Sequence, residues 1–299
     1  MQDRACLHWC VRVATLVTCL SAWISQVELI VFDLDGTLLN QASAISDYTS
    51  DTLRLLAEHE IAYTVATGRT LHSARAILEG HQFLLPQAYK NGVMIWHPEQ
   101  RRFSSGAMLT ADELLHIVQA CIRQDVTPLV FTLDQDQECT VYHPPLKSEV
   151  EHLLNRNLGI EDNVRARALD ELPADAVITH VNSIGHSEAI KAVLQSVNDE
   201  PHLVAYSGFA WEGRQWRWLD IHHSEASKGG AIKEMKELLG IERVVCFGDS
   251  DNDLSMFEVA DESYAPANAN EAIKSAATAV IGHHDEEGIA RFLRERFGL

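Results

Sequence analysis

The sequence predicts an α/β fold in which a doubly wound parallel sheet is interrupted by an inserted α+β unit. Three observations predict it. Short β-branched apolar runs at 29–32 (LIVF), 61–66 (IAYTVA) and 244–247 (VVCF) each stop at a polar turn, the pattern of strands buried on both faces of a parallel sheet. The first two runs alternate with helical stretches: residues 46–60, where Leu53, Leu55 and Leu56 sit among polar residues behind a Ser46 or Asp47 N-cap, and residues 71–78. Between about Trp96 and Ala205 the pattern changes. Helical periodicity at 111–124, 147–158 and 187–196 is mixed there with strand-like runs at 129–133, 139–143 and 176–183.

Composition bounds the function. The chain has 299 residues, 46% apolar and 22% charged, with a formal net charge of −19, ordinary globular usage with an acidic surface. Such a surface repels nucleic-acid phosphates and anionic lipid, so neither is an expected partner; an anionic substrate needs a local patch of cation and metal. Six cysteines at 6, 10, 19, 121, 139 and 246 form no CxxC pair and no metal-binding spacing. They read as free thiols of a reducing, cytoplasmic compartment. Residues 7–24 are mostly apolar but broken by His8 and Arg12. That is short for a spanning helix, with a weak basic n-region and no clear small-x-small cleavage site for a signal peptide.

Chemistry-bearing residues stand at the strand ends. Asp33 and Asp35 follow the first apolar run, with Gly36 and Thr37 next. Residues two apart on an extended chain face the same side, so both acids are expected to face one cleft beyond the sheet's carboxyl edge. Adjacent carboxylates ionise together only with a cation between them, which points to a magnesium-dependent site with one nucleophilic and one acid/base carboxylate. Thr67, Gly68 and Arg69 end the second run, where a hydroxyl and helix-start N–H groups suit a phosphate oxygen; a plain turn is the alternative. Residues 86–96 read as strand, Asn91-Gly92 turn, strand. Lys228 begins a helical pattern, where a cation is either solvated or has an anionic partner. Gly248-Asp249-Ser250-Asp251-Asn252-Asp253 follows the run at 244–247, and its clustered acids suit a hard cation without matching an EF-hand. Residues 211–222 hold three tryptophans and read as a hairpin or edge strand, with a packing cluster favoured over a sugar-stacking platform.

These stretches carry a resemblance. Asp33-Leu34-Asp35-Gly36-Thr37, Ala66-Thr67-Gly68-Arg69, Lys228 and Gly248-Asp249-x-x-Asn252-Asp253-x-x-Met256 resemble, in order, the four motifs of haloacid dehalogenase (HAD) superfamily phosphatases of the Cof type, subfamily IIB. The resemblance runs from about 27 to 299, strongly in the core and by size and layout elsewhere. It implies a Rossmann-like core at 27–93 and 207–299 and an inserted α+β cap at 94–206, an antiparallel sheet with helices on one face that sets specificity. It implies phosphomonoester hydrolysis through an aspartyl-phosphate. Asp33 would be nucleophile, Asp35 acid/base and Lys228 charge partner. Thr67, Gly68, Arg69, Asn91 and Asn252 would contact the substrate. Asp33, Asp35 (through a backbone carbonyl), Asp249 and Asp253 would hold Mg2+ or its water shell. The substrate would be a small phosphorylated metabolite, a sugar phosphate or phosphoglycerate derivative. A phosphotransferase or phosphosugar mutase, and a non-catalytic binding protein of the same fold, are the alternatives; about thirty residues between Asp33 and Thr67 are few for a mutase cap. Because the resemblance starts near Val27, residues 1–26 read as an extension ahead of a GTG start, with a signal or anchor as the other reading. Oligomeric state is not readable from these residues.

Overall fold

The computed structural model describes residues 28–134, 138–161, 164–210 and 213–299. The expectations for residues 1–26, for a start at Val27, for Cys6, Cys10 and Cys19, and for Trp211 lie outside the described residues. In chain order the first elements are β1 (Glu28–Phe32), α1 (Asp47–Glu58), β2 (Ala62–Val65), α2 (Leu71–Leu78), β3 (Gln87–Tyr89), β4 (Met94–His97) and β5 (Arg102–Ser105). There follow α3 (Ala111–Arg123), β6 (Leu129–Leu133), β7 (Cys139–His143), α4 (Glu149–Glu161), β8 (Arg165–Ala168), β9 (Val177–His186), α5 (Ser187–Asn198), β10 (Leu203–Ala210) and β11 (Gly213–His223). Then come α6 (Lys228–Leu239), β12 (Arg243–Phe247), α7 (Leu254–Phe257), β13 (Glu262–Pro266), α8 (Glu271–Ala276), β14 (Ala279–Ile281) and α9 (Gly288–Phe297). They pack as two units. One holds the described residues up to Val65 with His81–Leu85 and Ile232–Leu299; the other holds those of Ala66–Gly80 and Pro86–Ala231.

The first unit is built on a five-stranded sheet of order β14-β13-β12-β1-β2, every pair parallel. The chain winds outward from β1 to β2, then returns at β12 on the other side of β1 and winds outward again. This is the doubly wound arrangement, and its switch point lies between β1 and β12. Leu29 to Phe32 and Val244 to Phe247 are fully buried, as two-sided apolar strands must be. Helix α1 begins where Ser46 accepts a hydrogen bond from the Thr49 N–H, the expected N-cap.

The amino ends of these strands carry an ion cluster. Arg296 of α9 donates to Glu28, the first residue of β1, at 3.0 Å, and to Glu262, the first of β13, at 2.5 Å. Arg243 pairs with both acids as well. The Arg296 guanidinium, opposed by partial burial, holds the Glu262 carboxyl down at about 2. A depressed carboxylate stabilises the fold above its ordinary value near 4.5 and loses that contribution as pH falls toward 2. Replacing Arg296 with Ala is therefore expected to cost about 1–2 kcal/mol near neutrality, the pair being partly exposed. The difference in melting temperature from the unmutated protein should shrink as pH is lowered from about 4.5 to 2. A gap that stayed constant over this range would show that the pair contributes packing and not charge.

The second unit holds a six-stranded sheet of order β10-β11-β9-β6-β7-β8 and a three-stranded antiparallel sheet of order β3-β4-β5. The larger sheet is antiparallel apart from the parallel β7–β8 pair. Its helices lie on both faces, a correction to the one-sided layout the resemblance implied. Val130, Tyr142, Val181 and Leu219 pack with Ile117 of α3 and Ile190 of α5, whereas Leu129, Phe131 and Val141 pack with Leu154 and Leu158 of α4. The physical reason is in β6 itself: Leu-Val-Phe-Thr-Leu is buried at all five positions, so both faces need cover. Strand β11 is hydrogen-bonded on both sides, by β10 and by β9; it is an interior strand, not an edge. Trp216 stacks on His186 at 4.3 Å, and Trp218 lies against Gly208, where a β-carbon would come within 2.7 Å of the indole. Cys121, Cys139 and Cys246 are not joined in disulfides. No helix among the described residues is long and apolar enough to cross a membrane.

Candidate active site

In the first unit, strand β1 delivers Asp33 and strand β12 delivers Gly248-Asp249. Both stand at the carboxyl ends of the two strands that flank the switch point, the place where open α/β sheets bind ligands. Asp33 is fixed by its own N–H, which donates to the Phe247 carbonyl at 2.9 Å. Oxygen atoms of Asp33, Asp249 and Asp253 lie within 4.8 Å of one another. Asp33 and Asp253 are buried, at 5% and 0% exposure.

The loops explain how three carboxylates come so close. After β1 the chain makes a wide turn over Leu34–Leu38, closed by the Leu39 N–H on the Leu34 carbonyl at 2.9 Å. Gly36 has a φ of +75°, and a β-carbon there would sit 2.4 Å from Asp249 Oδ2. Only glycine allows both the left-handed turn and that approach. Thr37, buried, donates its hydroxyl to Asp249 Oδ1 at 3.3 Å. Asn268 Nδ2 donates to the Gly36 carbonyl at 2.7 Å and fixes the turn from the loop after β13. Asp253 Oδ2 accepts the N–H groups of Asp249 and Ser250 at 2.8 and 3.0 Å, so this acid shapes the loop that presents Asp249. Asn252 accepts the Ser250 hydroxyl at 2.7 Å. Asp251 is exposed, as a solvated charge should be.

Asp35 stands outside the trio and is exposed. Between the two acids the chain is already turning at Leu34. Thr37 and Asn268 were not singled out as site residues.

In the second unit, Thr67, Gly68, Arg69 and Asn91 come together. The Thr67 N–H donates to the Ala88 carbonyl at 2.9 Å, and its carbonyl accepts the Asn91 N–H at 3.0 Å. The Thr67 hydroxyl accepts the Arg69 N–H at 3.1 Å, which leaves its proton to donate. Asn91 Oδ1 lies 3.1 Å from the place a Gly68 β-carbon would take. Lys90, Asn91 and Gly92 form the hairpin turn with three successive positive φ values, +49°, +57° and +96°. At Gly92 a β-carbon would fall 2.1 Å from the Ser227 carbonyl oxygen, so this turn abuts the backbone that leads into Lys228. Lys228 opens α6 and is completely buried. Ser227 accepts the Gly230 N–H at 3.1 Å, which caps the helix start.

A family model for haloacid dehalogenase-like hydrolases matches residues 30–293. The chain belongs to this family. Curated relatives include a Bacillus subtilis protein named putative phosphatase YxeH, 27% identical over 277 residues, 90% of this chain and 97% of that protein. Another, the Bacillus subtilis 5-amino-6-(5-phospho-D-ribitylamino)uracil phosphatase YitU, is 28% identical over 91% of this chain and 98% of its own length. Among solved structures, a haloacid dehalogenase-like hydrolase from B. subtilis superposes with a TM-score of 0.71 at 24% identity, covering 89% of this chain and 99% of that one. The HAD subclass IIB sugar phosphatase BT4131 does so with a TM-score of 0.69 at 20% identity, covering 91% and 99%. The expected fold class, a HAD core with an added α+β sheet, is borne out, as is the expectation of a HAD-like enzyme.

Proposed function

We propose that the protein is a Mg2+-dependent phosphomonoesterase, acting in the cytoplasm on a small phosphorylated metabolite, a sugar phosphate or phosphoglycerate derivative. The observation that supports this most directly is the trio Asp33, Asp249 and Asp253 at the switch point of the parallel sheet. Three carboxylates this close repel one another strongly unless a cation lies among them, and an all-oxygen donor set suits a hard divalent ion. Asp33 and Asp249, with Asp253 behind them and a backbone carbonyl near Asp35, would hold Mg2+, which when bound neutralises charge on the phosphoryl oxygens.

In this reading one Asp33 oxygen attacks phosphorus in line, forming an aspartyl-phosphate while the P–O bond to the leaving group breaks. Asp35, protonated, gives its proton to the departing alkoxide. As a carboxylate it then takes a proton from the water that attacks phosphorus, releasing inorganic phosphate and restoring Asp33. Its exposure leaves it open to that exchange with water. The Thr67 hydroxyl, the Gly68 N–H and the Arg69 guanidinium donate to phosphoryl oxygens, Asn91 and Asn252 orient the substrate, and the Lys228 ammonium balances the added negative charge. We assign catalysis to residues 27–93 and 207–299, and choice of substrate to the insert 94–206.

Hydrolysis of an aryl phosphate tests this reading. Turnover is expected with Mg2+, to fall by about 100-fold or more with excess EDTA, and to return when Mg2+ is restored. Full activity in EDTA would exclude the metal. Tight binding of phosphate esters without hydrolysis would favour a non-catalytic protein, and transfer of phosphate to an added sugar in preference to water would favour a phosphotransferase.

A further inference from the structure

A cavity of about 260 Å³ lies inside the second unit. It is close to the lower end of small-ligand sites, about 300 Å³. Its apolar wall includes Met94, Phe131 and Leu158. Lys90 also lines it, and Lys90 comes from the same turn as Asn91; the Lys90 N–H donates to the Arg69 carbonyl at 3.0 Å. The cavity therefore adjoins the loops that carry Thr67–Arg69.

The charges in this cavity are unusual for the chain. Acids outnumber Lys and Arg by 43 to 24, so most cations should find a carboxylate. The one carboxylate of the lining, Glu138, is paired with Arg165 at 2.6 Å. Lys90 is half-buried, and no carboxylate among the described residues pairs with it. Its ammonium lies 5.8 Å from the centre of the Phe131 ring, a contact that compensates only part of lost hydration. Its backbone is held at a φ of +49°, a conformation uncommon outside glycine that fixes where the side chain starts. Arg75, exposed and likewise without a carboxylate partner among the described residues, stands in the lining as a second cation. His180, on the same wall, stacks on Phe131 at 4.3 Å. Burial pushes its protonation down to about 3, so it adds no charge.

We propose that this cavity binds the leaving group of the substrate, and that Lys90 selects phosphomonoesters whose organic part carries a second anionic group, a carboxylate or a second phosphate. The proposal deepens the phosphatase reading and rests on it for turnover. Lys90 acts on binding and choice of substrate, not on the bonds that break.

The test uses matched pairs: glycerol phosphate against phosphoglycerate for a carboxylate, and a hexose monophosphate against its bisphosphate for a second phosphate. The unmutated protein should favour the anionic member of at least one pair by about tenfold or more in kcat/KM, the scale of one charge-assisted hydrogen bond. Which pair responds identifies the anion. Lys90→Met should bring that ratio to within about twofold, mainly through KM, and Lys90→Arg should retain it. Equal use of both members by the unmutated protein, or a loss in Lys90→Met that falls on both members alike, overturns the proposal. Calorimetric titration with phosphoglycerate and with the bisphosphate reads Lys90 without turnover. Binding of at least one should weaken by about tenfold in Lys90→Met; no binding, or unchanged binding, overturns the proposal. Failure to hydrolyse the aryl phosphate and every pair would sink the phosphatase reading alone, since the titration still reports on Lys90.

Discussion

Asparagine in place of Asp33 is expected to abolish turnover while leaving the fold as stable as before or more so. The amide keeps the size of the side chain and the Asp33 N–H bond to Phe247, so β1 and β12 retain their register. It removes the anionic oxygen that would attack phosphorus, and losing a covalent nucleophile typically costs about 10⁴- to 10⁶-fold in kcat. It also removes one of three carboxylates gathered within 4.8 Å, which relieves like-charge repulsion in metal-free protein. The paired measurement is initial rate on an aryl phosphate and thermal melting in EDTA. Near-normal turnover would rule out the covalent route. Lost turnover with a much lower melting temperature would show that Asp33 serves the fold.

Alanine in place of Gly36 separates geometry from charge, because it changes no ionisable group. The added methyl falls 2.4 Å from Asp249 Oδ2 at a φ of +75°. The carboxylate must move, and its 3.3 Å bond from Thr37 goes with it. Left-handed strain in alanine costs about 1 kcal/mol, and the displaced carboxylate adds to a total of about 2–4 kcal/mol. The Mg2+ concentration for half-maximal activity should rise about tenfold or more, since Asp249, the proposed ligand, is pushed off its position. Gly80 supplies the control: its φ is +85°, yet a β-carbon there meets nothing within 4 Å. Gly80→Ala should show the strain of about 1 kcal/mol and no change in metal requirement. If both alanines shifted the Mg2+ response equally, the Gly36–Asp249 approach would have no part in metal binding.

The central strands were legible because burial on both faces writes itself as unbroken apolar runs. The residues at 29–32 and 244–247 could be read directly, and the acids following them marked the sheet's carboxyl edge. Other features had no such signal. Strand β8, Arg-Ala-Arg-Ala, is exposed at every position and pairs along one side only, so no hydrophobic period betrays it. The two-sided cover of the larger sheet was written in β6, apolar at every position but Thr132, but family layout outweighed it. The turn that begins one residue after Asp33 had no signal either, since alternation describes only a chain that stays extended. Contacts across long sequence separations, such as Asn268 on Gly36, carry no local pattern at all.

The abutment of Gly92 on the Ser227 carbonyl oxygen is made by main-chain atoms on both sides. It sets the spacing between the turn at 90–92 and the start of α6 without using a neighbouring side chain. Exchanges at residue 90 that test the proposed selectivity are expected to leave the buried Lys228 in place.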